Sequence, residues 1–401
     1  MRGWRLNRSQ FTLADRAKLA WFVFSDDQWT QSKHTLDYEK KMAQFVGVKY
    51  AVFVANGSLA NTLIAMRLRD KHVEMKTGNT VVLPSTTWMT SVSPFIREGF
   101  DEHFIDVNLE NFSMDLDKLE KYLAKSAKFV ALVFVTSLLG FNPDIERLHE
   151  IADKYGVTIM MDNCENTLGV SNGRNISSYF TSTTSTYFGH QFQSVEGGFV
   201  FTNSDEEYEY FLMARCHGLV RGLPQERQAK YRNMKVDQRF DFTMLGNNFR
   251  NTDIHAFIGK LDLRRAGIYR CQRELLYTLF RDTINKNWVL DKFVLPSLQS
   301  YVYGDGDFPF CIPIVLSQKN PAMANKLLKF AETMGVETRP ICTGNIVRQT
   351  PFAENYKFED YPNSEHLHNN GFYVGLHAKI NPNDVRELAN KVSQIVSENK
   401  M

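Results

Sequence analysis

Lys128-Phe-Val-Ala-Leu-Val-Phe-Val-Thr136, then the helical stretch Ile145–Tyr155, then Val157-Thr-Ile-Met-Met161-Asp162, decide the fold class. The first run is apolar at consecutive positions. A strand with one buried face alternates apolar and polar residues; a continuous run belongs to a parallel sheet covered on both faces. A helix of about ten residues between two such runs is a crossover connection. The pattern repeats outward. Ala51–Val54 precedes a helical stretch with Leu59, Leu63, Ile64, Met66 and Leu68. Thr80–Pro84 precedes a helix-like stretch from Trp88 to Phe100, and His103–Val107 precedes Leu116–Leu123, with Asp115 as N-cap. These alternations predict a large α/β domain over residues 1–252, with an N-terminal helical segment.

Beyond residue 252 the pattern changes. Apolar residues from Ile254 to Phe280 recur near helical spacing, which predicts one long helix from Asp253 to about Ile284. Strand-like pieces (Phe308–Leu316, Val336–Ile341, Gly371–Leu376) and helices at Asn320–Met334 and Asp384–Ser397 follow. Residues 253–401 therefore read as a linking helix and a smaller α+β domain.

The composition excludes several classes. The 401 residues carry 47 Lys+Arg against 45 Asp+Glu, a net charge of +2, too balanced for a polybasic nucleic-acid binder. No window approaches the roughly 18 uncharged apolar residues of a membrane helix, and no apolar segment follows the basic N-terminus. The five cysteines are scattered without a C-x-x-C pair, which supports neither a disulfide framework nor a metal site and suits a reducing cytoplasm.

Ligands of open α/β sheets bind beyond the C-terminal strand ends, and polar residues collect there. Asn56-Gly57-Ser58 joins a strand to a helix N-terminus, where glycine permits close approach and free N–H groups favour an anion; the same triplet also serves as a plain turn. Trp88 can stack on a flat ring or cap the core. Asp162 ends a buried strand, so its charge needs a partner: a protonated ring nitrogen of a ligand, or an internal arginine. Ser185-Thr-Tyr-Phe-Gly-His190-Gln-Phe-Gln-Ser194-Val-Glu196-Gly-Gly leaves one strand and re-enters another, placing His190 in a loop at the mouth of the sheet.

With these motifs together, and with Leu245-Gly-Asn-Asn-Phe-Arg-Asn-Thr-Asp253, the sequence resembles the pyridoxal-phosphate-dependent sugar aminotransferases of the DegT/DnrJ/StrS type, from about residue 26 to the C-terminus. That family has the aspartate-aminotransferase-like fold (fold type I of these enzymes). Its members normally carry a Schiff-base lysine five residues after the serine that is Ser185 here. His190 stands at that position, a replacement characteristic of a subgroup of hexulose 3-dehydratases. Arg215-Cys-His-Gly-Leu-Val-Arg221, Gly335–Asn345 and Asn370–His377 support the subgroup. An iron–sulfur relative needs a close cysteine set, which is lacking. The residue before the histidine is Gly189, where the subgroup has a serine.

The resemblance implies the following roles. Gly57, Ser58 and Ser185 hold the phosphate, joined by Asn248 of a neighbouring subunit. Trp88 covers the ring, Asp162 pairs with its nitrogen, and Glu165 lies on the hydroxyl side or orders the site. His217, Arg221, Glu337 and Arg339 are candidates for substrate contacts, or are surface charges. Imidazole has no primary amine, so His190 can move protons but cannot tether the cofactor. Pyridoxal 5'-phosphate and pyridoxamine 5'-phosphate would then be held non-covalently. L-glutamate would supply the amine, and a nucleotide-linked 4-keto-6-deoxyhexose, GDP-linked by preference, would lose its C3 hydroxyl with release of ammonia. The expected setting is deoxysugar synthesis for surface polysaccharide, by a homodimer with shared sites and without nucleic-acid or membrane partners. A 4-aminotransferase of the same family and an inactive scaffold are the alternatives.

Overall fold

The computed structural model describes residues 3–25, 28–75, 78–298 and 306–398. Its main sheet has seven strands: β1 (Tyr50–Val54), β2 (Thr80–Pro84), β3 (Asp101–Ile105), β4 (Val130–Thr136), β5 (Ile159–Asp162), β6 (Ser182–Ser185) and β7 (Gly198–Thr202), in the order β1-β7-β6-β5-β4-β2-β3. The run from β3 to β6 is parallel, and β7 is antiparallel to both its neighbours. The continuous apolar run of β4 is explained by its packing. Leu132 and Phe134 enter a core with Phe95 and Phe211, whereas Val133 and Val135 enter another with Leu119, Leu148 and Ile151. Every residue of β4 is buried.

The crossover Ile145–Tyr155 forms where periodicity places it. Asp144 caps it by accepting from the Arg147 N–H, and Gly156 ends it at φ +63°. Leu148 and Ile151 are fully covered, which contributes about 1.5–3 kcal/mol each. Asp115 caps the helix Leu116–Ser126 in the same way.

A second sheet of three antiparallel strands, β8 (Cys311–Val315), β9 (Thr338–Pro340) and β10 (Gly371–Gly375), has β10 in the centre. Its core includes Phe280 and Ile284 of the helix Ala266–Lys286 and Leu388 and Val392 of the helix Pro382–Glu398.

Two expectations are corrected. The single long helix is two, Asp253–Leu263 and Ala266–Lys286. The break falls at Arg265, whose guanidinium pairs with Asp15 and, at 3.6 Å, with Asp262. The stretch after Trp88 holds only a 3-10 turn, Met89–Ser91, and a five-residue helix, Ser93–Arg97. The N-terminal helical segment packs on the large sheet, where Tyr38 and Met42 of the helix Lys33–Val46 meet Phe53 and Phe199, and the strap before it runs to the second sheet. Trp4 is buried in the core of the smaller unit and bridges Val336.

Candidate active site

The parallel register aligns the strand ends: Thr136 pairs with Asp162, and Asp162 with Thr183. Beyond them opens a cavity of about 720 Å³ that also reaches the second sheet. Gly57, Ser58, Trp88, Asp162, Glu165, Ser185, His190 and Arg339 all line it.

At one end lies the N-terminus of the helix Gly57–Met75. The Asn56 side chain accepts from the Leu59 N–H at 2.9 Å and fixes the first turn. Gly57 is required by contact: a Cβ there would sit 2.8 Å from Cys164 Sγ and 2.9 Å from Ser185 Cβ. The Ser58 hydroxyl is held by Thr90 at 2.8 Å. A helix N-terminus beside two serine hydroxyls is suited to an anion.

Asp162 is 3% exposed. One carboxylate oxygen accepts from Asn61 at 2.8 Å and from the Ser91 hydroxyl at 2.7 Å; the other accepts from the Cys164 N–H at 3.0 Å. All three donors are neutral, and no arginine or lysine reaches this carboxylate among the described residues. The internal-arginine alternative is thereby removed. A buried carboxylate with only neutral donors leaves the positive partner to a ligand.

Trp88 is 57% exposed at the rim, so it is not a core cap. The His190 imidazole stands between the rings of Phe310 and Tyr187, edge-on to both at 5.6 and 5.9 Å. Its Nδ1 is buried without a hydrogen-bond partner. Burial pushes its pKa down to about 4, against the opposing charge of Asp162. The ring is therefore neutral at physiological pH. Glu165 accepts from the Leu139 N–H at 2.8 Å, yet burial drives its carboxyl up to about 7. The described lining contains no lysine.

Four residues singled out for this site lie elsewhere in the chain. His217, Arg221, Asn248 and Glu337 do not line the cavity. Arg250 joins two of them, meeting His217 Nε2 at 3.3 Å and donating to Asn248 at 2.9 Å. Arg221 lies over the Phe240 ring at 5.4 Å. The Glu337 carboxylate pairs with Arg339 at 2.8 Å and accepts from the Leu6 N–H at 3.2 Å. Residues that local motifs did not reveal complete the wall: Leu6, Phe310, Cys342 and Tyr373. Asn61 and Ser91 had one usable signal, their place in the first turns after β1 and β2.

The sequence profile of the DegT/DnrJ/EryC1/StrS aminotransferase family matches residues 14–393. The chain belongs to that family. Among relatives, the GDP-4-keto-6-deoxy-D-mannose 3-dehydratase of Yersinia pseudotuberculosis is 28% identical over 365 residues, 88% of this chain and 89% of that protein. The enzyme of the same name from Escherichia coli is 26% identical over 88% of this chain and 90% of its own length. Among solved structures, an E. coli GDP-4-keto-6-deoxy-D-mannose-3-dehydratase with bound hydrated PLP superimposes with a TM-score of 0.85 at 23% identity, covering 98% of this chain and 99% of that one. The fold is thus that of this aminotransferase family, with the large, mostly parallel sheet at its centre.

The residues present fit pyridoxal phosphate on three observations of this chain. Asp162 is buried without a cation, the helix N-terminus at Gly57 admits no side chain, and Trp88 offers an exposed ring at the rim.

Proposed function

We propose that this protein is a pyridoxal-phosphate-dependent 3-dehydratase of a nucleotide-linked 4-keto-6-deoxyhexose, GDP-linked by preference. The observation that carries this reading is His190 at the wall of a cavity to which the described chain brings no lysine. The names of the two relatives support the substrate.

When bound, the cofactor and its amine form supply an electron sink that labilises a C–H bond and lets a neighbouring hydroxyl leave. The chain supplies the rest. Gly57, Ser58 and Ser185 hold the phosphate, and Trp88 covers the ring. Asp162 keeps a proton on the ring nitrogen. His190, neutral above about pH 4, takes and returns the proton at the cofactor's reactive carbon. Without a lysine in the described lining, the chain would hold the cofactor by contacts alone. The overall exchange balances: the sugar gives up its C3 oxygen, and glutamate becomes 2-oxoglutarate and ammonia.

The proposed assembly is a homodimer in the cytoplasm. His217, Arg221 and Asn248 lie outside their own chain's cavity, next to the exposed Phe240, Phe242 and Leu245, the last 92% exposed. A second copy covering that face would bring them to its own cavity. No described helix is long and apolar enough to cross a membrane.

The test is chemical. Protein incubated with pyridoxal phosphate and borohydride gains no mass on any lysine. With glutamate and GDP-4-keto-6-deoxymannose it releases ammonia and a 3-deoxy sugar. A stable 4-amino sugar as the sole product refutes the proposal in favour of a transaminase, and no turnover at all favours a scaffold.

A further inference from the structure

The loop that carries His190 is anchored at its ends and exposed at its tip. Ser194 N–H donates to the Thr186 carbonyl at 2.8 Å, and Phe188 N–H to that of Val195 at 2.9 Å. The Gln191 side chain accepts from the Leu168 N–H at 2.8 Å, and Gln193 N–H donates to Asp262 at 2.9 Å. Tyr187 and Phe188 are exposed. Gly189, with no side chain to restrict it, precedes the histidine.

One distant side chain grips this tip. The Asn7 amide donates to the carbonyl of Phe188 and, at 3.3 Å, to that of His190. It spans the carbonyls of the two residues on either side of Gly189. Asn7 in turn sits on a strap tied to the second sheet. The Glu337 N–H donates to the Trp4 carbonyl at 2.8 Å, and the Trp4 indole donates to the Gly375 carbonyl at 2.9 Å. Leu6 N–H donates to the Glu337 carboxylate. Leu6 lies so close to β10 that a Cβ on Gly375 would be 2.4 Å from its Cα.

We propose that Asn7 is a positioning residue for His190: its amide clamps the two carbonyls flanking Gly189 and so sets the imidazole against the cavity by reference to the second sheet. The N-terminal strap then links the two sheets through the one histidine that lines the cavity. A mere tether of the N-terminus needs no contact with this loop, because Trp4 and Leu6 already supply the attachment. One of the two clamped carbonyls is exposed and the other half-buried, so water can replace much of the bonding and the clamp's value is in placement rather than in stability. This inference rests on the proposed role of His190 for its kinetic consequence, but not for its geometric one.

The experiment uses the full chain with ring-¹³C histidine and two variants, Asn7→Ala and Asn7→Leu; the second keeps the approximate shape, removes the donor and adds no charge. His190→Asn identifies the His190 NMR signal. The charged groups facing the ring are Asp162 and Arg273, which neither variant alters. In the wild type the ring titrates near pH 4. In both variants it moves at least one unit toward the ordinary value of about 6.5, while the melting temperature stays within a few degrees. The kcat for the nucleotide sugar falls by roughly 10- to 100-fold at unchanged KM, as expected of a misplaced catalytic group. An unchanged His190 titration in both variants overturns the inference. A shifted titration with unchanged kcat upholds the clamp and refutes the proton-transfer role of His190 instead.

Discussion

Replacing Asp162 by Asn isolates the contact on which the cofactor assignment depends. Both carboxylate oxygens are in use, one with two donors at 2.8 and 2.7 Å and the other with one at 3.0 Å. An amide of the same shape has a single acceptor. Oriented to keep the two bonds, it turns its NH₂ toward the Cys164 N–H, a mismatch costing about 1–3 kcal/mol. Loss of a buried charge without a cation offsets part of that. The ligand-free protein should therefore change in stability by only about 1 kcal/mol. The bound state differs. A protonated ring nitrogen facing a neutral amide loses a buried charge pair, at about 3–5 kcal/mol. At about 1.4 kcal/mol per tenfold, affinity for pyridoxal phosphate falls by two orders of magnitude or more. Absorbance titration measures this directly. Thermal unfolding with and without ligand measures it independently, since a ligand at about 100 times its Kd stabilises by about 2.7 kcal/mol and the variant should lose nearly all of that. Native affinity in Asp162→Asn would show that this carboxylate does not face the ring nitrogen.

The other predictions are brief. Gly57→Ala places a methyl against Cys164 Sγ and Ser185 Cβ, so it should cost about 1–3 kcal/mol in urea unfolding and abolish cofactor binding by closing the anion end; native binding would move the phosphate elsewhere. Glu165 and His190 should give the protein two pH responses of opposite sign. Glu165 rises from 4.5 to about 7 on folding, so between those values the folded state holds the extra proton and stability falls as pH rises; Glu165→Gln removes that loss, about 3 kcal/mol. His190 drops from 6.5 to about 4, so its contribution is present above pH 6.5 and is lost toward pH 4; His190→Asn removes it. Urea unfolding between pH 4 and 8 should show the two variants departing from wild type in opposite directions, and parallel curves would refute the assigned shifts.

What the sequence disclosed was local. The β4 run reveals a doubly covered strand because each of its residues faces one of two apolar cores, and nothing beyond seven consecutive residues is needed to see that. Asn56-Gly-Ser and the aspartate after Met161 were legible because strand ends and helix starts carry their own chemistry. The far wall was not. Leu6, Phe310, Cys342 and Tyr373 meet the cavity only after the second sheet has folded against the first, and no spacing records that meeting. The helix break at Arg265 was hidden for a related reason. The apolar period runs on through it, and the partner of Arg265 is Asp15, 250 positions earlier. Resemblance marks His217, Arg221 and Asn248 as candidates, yet the fold of a single chain does not bring them to its own cavity.

On the proposed reading, an untethered cofactor makes occupancy a sum of separate contacts. Each comes from a different strand end: Gly57 after β1, Trp88 after β2, Asp162 at the end of β5 and Ser185 at the end of β6. Register, not any single residue, keeps these groups within reach of one molecule; Thr136, Asp162 and Thr183 lie level because three parallel strands are aligned there. The proposed proton-transfer group is the exception. His190 sits on a loop whose tip points away from those strands, and the only grip on that tip from outside the loop among the described hydrogen bonds is Asn7. On that reading binding would be secured by the rigid sheet, whereas proton transfer would depend on a strap from the other sheet. Damage to the first should appear as loss of cofactor, and damage to the second as slow turnover with the cofactor still in place.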